Sequence, residues 1–75
     1  MGIDLKYGAV TTERGKIMET EPVFVFRSHD VLAPLALTRY RDVCRDAGCS
    51  SEFIQDIERA IRAFTDWNGF RKLPD

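Results

Sequence analysis

The segment Pro22-Val23-Phe24-Val25-Phe26-Arg27 constrains the fold more than any other. A proline where a strand can start is followed by four β-branched or aromatic residues. Side chains alternate along a strand, so Val23 and Val25 share one face and Phe24 and Phe26 the other. A strand apolar on both faces is normally covered on both. The chain has 75 residues, and a chain of that size buries roughly 60% of the surface it exposes when unfolded. That suffices for one small core and not for a deep, water-excluding active site. One cover must come from the rest of the chain. The other comes from the N-terminal segment or from a second copy, so a homo-oligomer, a dimer or larger, is expected.

The remaining pattern predicts an α+β chain of one domain: a β region over 1–30, a helical hairpin over 31–68 and a tail over 69–75. Ile3, Leu5 and Tyr7 alternate with Asp4 and Lys6, which reads as a first strand interrupted at Gly8. Glu13-Arg14-Gly15-Lys16 reads as a turn, with Lys16-Ile17-Met18 pairing back. The sheet is therefore expected to be small and antiparallel, a hairpin plus the strand 22–27. Leu32, Leu35, Ala36, Tyr40, Val43 and Ala47 recur every three or four residues, one stripe of a helix over about 31–47. Ser28, His29 and Asp30 offer its caps, Pro34 falls in its first turn and Gly48 closes it. A second helix, over about 51–68, starts at a Ser50 or Ser51 cap. It carries Phe53, Ile57, Ala60, Ile61, Phe64 and Trp67 as its inner stripe, and Asn68-Gly69 stops it.

Eleven basic and twelve acidic residues leave a formal charge of −1, without the basic face that phosphate contacts require of a nucleic-acid module. Arg39, Arg41 and Arg45 alternate with Asp42 and Asp46, a pattern of solvated helix surface. No apolar run reaches the ~18 residues of a membrane span. Met1–Tyr7 carries Asp4 and has no apolar stretch of the signal-peptide kind. Cys44 and Cys49 are accordingly expected as free thiols in a reducing cytoplasm, Cys44 in the core and Cys49 at the interhelix corner. One histidine and two cysteines exclude the common zinc cages.

Catalytic constellations are missing, and neither enzyme activity nor a cofactor is expected. Ser28-His29-Asp30 has the residue types of a hydrolytic triad, but consecutive side chains diverge where a triad must converge. The His29-Asp30 dipeptide lacks the further histidines of a metal-dependent phosphohydrolase. Glu19 with Glu21, and Glu52 with Asp56, read as solvated charge. The best candidate site is the strand-to-helix junction. Arg27 ends the strand, Ser28 and His29 add donors, and a helix start presents free amides, together an anion site to which Arg39 and Arg41 can contribute from the same chain or a partner. The plainer alternative is that Asp30 fills the cap and Arg27 pairs with an acid. Phe24, Phe26, Tyr40, Trp67 and Phe70 are candidate interface anchors, with core packing as the alternative for Tyr40 and Trp67.

Glu21-Pro22-Val23-Phe24, two apolar residues, Arg27, two further residues and Asp30, then Ala33-Pro34 opening a helix and Asp66-Trp67 near the end, resemble a set of small accessory proteins of tailed bacteriophages, notably those of actinobacteria. The resemblance covers about residues 3–68. Ser28-His29 departs from the small-residue–Gln pair of that group. The resemblance implies a phage gene product in the cytoplasm of an infected host that works by binding. It would occlude a host protein, sequester a phosphorylated nucleotide signal of host defence, or regulate phage genes.

Overall fold

A computed structural model describes all residues, 1–75. Three short strands, β1 (Gly2–Asp4), β2 (Gly8–Val10) and β3 (Glu21–Val23), precede two helices, α1 (Ala33–Asp46) and α2 (Ser51–Asp66). The arrangement is α+β, as the sequence pattern predicts.

The sheet is mixed, not antiparallel, with strand order β2-β1-β3. β1 pairs antiparallel with β2, Ile3 opposite Ala9, and parallel with β3, Ile3 opposite Pro22. The hairpin therefore turns at Leu5-Lys6-Tyr7, and Gly8 at φ +81° returns the chain into β2. Lys16-Ile17-Met18 forms no strand; it belongs to the connection that carries the chain to the far edge of β1. A close approach at Gly2 permits that crossing. A Cβ there would lie 2.6 Å from Val23 Cγ1 and 2.9 Å from Ile17 Cγ2, so the side chains of Ile17 and Val23 occupy the space a larger residue would need.

The expected strand 22–27 pairs only through Val23. The reason is the length of its partner: β1 ends at Asp4, where the chain turns away. Beyond that point the Asp4 carboxylate substitutes for backbone, accepting the Val25 N–H at 2.8 Å.

α2 starts where expected, but its buried stripe differs: Ile54 takes the place expected of Phe53, which with Trp67 is exposed. Ser50 Oγ accepts the Phe53 N–H at 3.2 Å, which identifies the cap. α1 starts at Ala33, two residues later than expected, because Asp30 and Lys72 form a parallel bridge that holds residues 30–32 in a turn. Its C-terminus closes with Gly48 at φ +81°, Gly48 N–H to Arg45 O and Cys49 N–H to Cys44 O, a Schellman cap. α2 ends at Asp66, before the expected 68. Trp67 turns extended, and Arg71 donates to the Phe64, Thr65 and Trp67 carbonyls.

The helices pack on each other around Cys44, Ile54, Ile57 and Ile61. The inner stripe of α1 is rotated from the expected one. Ala33 and Cys44 are buried, Leu37 is half-buried, and Leu35 and Val43 face out. Of these, Cys44 packs against Ile54 and Ile57 of α2.

Strands touch strands and helices touch helices, with almost no contact between the two groups. The expectation that the helices cover the sheet is thus corrected. Phe24 remains 79% exposed and Phe26 39%, while Val23 and Val25 are half-buried. The radius of gyration, 13.5 Å, exceeds the about 11 Å of a compact chain of this length. The exposed surface is 6047 Å², against about 4,700 Å² for a folded monomer of this mass.

Candidate functional site

A groove of about 740 Å³ opens between the β1–β2 turn, the ribbon after β3 and the C-terminal tail. Asp4 organises its base. This carboxylate is 3% exposed, and Oδ1 accepts the Lys6 and Tyr7 N–H groups at 2.8 Å while Oδ2 takes Val25. The Tyr7 amide, with those of Val25 and Lys6 and the Lys6 charge, holds the Asp4 carboxyl below its ordinary value against the opposing effect of burial. One side chain thereby ties the turn to the ribbon and aims Tyr7 at the groove.

Two cations flank that ring. Lys6 Nζ lies 5.7 Å from the Tyr7 ring centroid and the Arg27 guanidinium carbon 5.8 Å. Arg27 Nη1 also donates to Tyr7 Oη at 3.4 Å. Neither cation forms a salt bridge. The groove's acids are otherwise engaged. Asp4 is saturated with amides, Asp30 Oδ1 accepts the Leu32 N–H, and Asp75 accepts from Lys72 Nζ at 2.7 Å. That last bond holds the Asp75 carboxyl below its ordinary value and occupies Lys72. Leu5, Val23, Phe24 and Pro74 provide apolar walls.

Of the residues the sequence singles out, Arg27 and His29 line this groove, and Ser28 and the arginines of α1 do not. His29 Nδ1–H donates to the Phe70 carbonyl at 3.2 Å, and the backbone of residues 29–31 pairs with Lys72. His29 therefore anchors the tail. Arg39 is exposed on α1, and Arg41 pairs with its neighbour Asp42 and, across the helical hairpin, with Glu58. The helix start is not a free anion site: Asp30 takes the Leu32 N–H with its side chain and the Ala33 N–H with its carbonyl. The plainer alternative is corrected on both counts: Leu32 is the N-cap and no side chain caps α1, Asp30 Oδ1 reaching only the Leu32 N–H, while the neighbour of Arg27 is Tyr7 and not an acid.

Tyr40 packs edge-on against Phe53 between the helices, half-exposed. Trp67 folds over Gly69, and Phe70 is 73% exposed beside His29. Cys44 is buried and Cys49 exposed, both free. Partial desolvation, with the neighbouring Cys44 thiol, pushes the Cys49 thiol up, away from a reactive thiolate. No cluster of three potential metal ligands is present, and no helix is long and apolar enough to cross a membrane.

Sequence reading missed Lys6, Tyr7 and Asp4 as members of a site. The available signal was Asp4 followed closely by Lys6 and Tyr7, the pattern of an Asx turn, in which a carboxylate collects the next amides. Comparison with protein-family models, curated proteins and solved structures found no match to this chain.

Proposed function

We propose that the chain is a non-catalytic binding protein of the phage-accessory kind. In this reading it captures, from an infected host, a ligand that joins an anionic group to an apolar or aromatic body. A phosphorylated nucleotide used as a defence signal has that chemistry. The observation that carries the reading is the Lys6–Tyr7–Arg27 arrangement. Two cations that form no salt bridge lie beside a half-exposed ring at the mouth of an apolar-walled groove. Cations so placed offer charge-assisted hydrogen bonds to a phosphate, and the ring offers a stacking surface. Calorimetry against a cyclic dinucleotide, an ADP-ribose-type nucleotide and inorganic phosphate tests it. Arg27→Ala and Lys6→Ala should each weaken nucleotide binding about tenfold, the loss of one charge-assisted bond. Binding that neither substitution changes, or no binding at all, overturns the reading.

A second reading is favoured by the tail. Phe70 and Leu73 stand exposed on a segment held by His29 and Lys72, and Trp67 is half-exposed, apolar side chains on which a host protein would dock. Here Phe70→Ala, and not Arg27→Ala, should abolish capture of that partner. Assembly into homo-oligomers is common to both readings.

A further inference from the structure

We infer that two copies of this chain join along the outer edge of the β3 ribbon, antiparallel and centred on Phe24, into one sheet across a two-fold axis. β3 ends the strand order β2-β1-β3, so one side of it has no neighbour. The Val25 N–H turns inward to Asp4. By the alternation of an extended chain, Pro22, Phe24 and Phe26 turn their backbone polar groups outward. Pro22, which has no N–H, thus sits where a missing donor is tolerated, on the unpaired side. An open edge of this kind is a template for another strand.

The sequence selects the register. With Phe24 opposite Phe24 of the second copy, Glu21 falls opposite Arg27 twice, and Val23 falls opposite Val25. Phe24 exchanges both of its bonds with its counterpart, and each Phe26 N–H meets the Pro22 carbonyl across the seam. Sliding the two copies so that Val23 or Val25 lies on the axis breaks the Glu21–Arg27 match. Phe24 and Phe26 already stack edge-on, with centroids 5.0 Å apart, and this register brings both pairs together on one face. The Arg27 guanidinium has further donors beyond the one on Tyr7, enough for Glu21 of the second copy and for a ligand in the groove, and Glu21, whose Oε1 accepts the Met18 N–H at 3.2 Å, keeps its other oxygen for that pair. The chain's surface exceeds that of a typical folded monomer by more than the ~800 Å² each partner contributes to a standard interface. The bare phenylalanine face accounts for part of that surplus.

Sedimentation of the full chain across a wide range of concentration tests the pairing, without ligand. The wild type is expected to reach a two-chain species. Phe24→Glu is expected to stay monomeric with an unchanged circular-dichroism spectrum, since Phe24 is 79% exposed and its one aromatic contact inside the chain is with Phe26. Glu21→Arg and Arg27→Glu should each weaken the dimer about tenfold, two cross-strand pairs at a time, and combining them should restore it. A wild type that stays monomeric overturns the inference. So does a dimer that survives Phe24→Glu, or single charge reversals that the double variant does not rescue.

Discussion

A single carboxylate does most to shape the site. Asp4 has three backbone N–H groups on its two oxygens and almost no contact with water. The Tyr7 amide foremost lowers its pKa from the ordinary 3.8, which fixes the sign of a pH effect. The folded state binds a proton here less readily than the unfolded one. The stabilisation is present above 3.8 and is lost as the pH falls through the lower, folded value. The melting temperature should therefore drop on acidification below about pH 4. Asp4→Asn should melt lower at neutral pH, because an amide nitrogen cannot accept the Val25 N–H, and should lose much of that acid dependence. Melts followed by circular dichroism from neutral to acidic pH read both effects. Asp4 was legible in the sequence as a polar residue of a strand. Its partner Val25, 21 positions away, was not, because only the parallel docking of β3 brings that amide within reach.

At the scale of elements, both helices, the Ser50 cap of α2 and the Gly48 closure of α1 were legible, since periodicity and capping are local properties of the chain, whereas the start of α1 was not: its N-cap is Leu32, without a side-chain bond, and not one of Ser28, His29 and Asp30. Ser50, Gly48 and Pro34 perform their expected roles. The tail was not legible. Its pairing with residues 29–31 and the three carbonyls gathered by Arg71 depend on where α2 ends in space. Arg71 gives α2 the basic C-terminal partner that its last turn lacks. Arg71→Ala should destabilise the fold by roughly 1–2 kcal/mol, the range for hydrogen bonds from a charged donor, as read by chemical denaturation. Arg71→Lys should recover part of this, because all three carbonyls are reached by one nitrogen, Nη2, and an ammonium keeps the charge and a multi-donor nitrogen on a shorter side chain.

At the scale of the molecule, strands and helices form two nearly separate packing groups joined by the 24–32 segment and the tail. Local damage to one should spare the other. Gly2→Val places a side chain where Val23 and Ile17 already sit, and should push β3 off β1. Hydrogen exchange is expected to show the Val23 and Val25 amides losing protection about tenfold or more, with the α1 and α2 amides unchanged. Equal loss throughout would mean that sheet and helices unfold together.

The α+β order, the two helices, the Ser50 and Gly48 caps and the doubly apolar ribbon were determined by the sequence alone, because each arises from residues within a few positions of one another. Strand direction, the rotation of α1 about its axis and the cover of the ribbon were decided only in three dimensions. A parallel β3 requires the space above Gly2. The face of α1 that carries Cys44 is buried because α2 packs Ile54 and Ile57 on it. The helices also bury their small core against each other, which leaves Phe24 and Phe26 without a cover inside the chain.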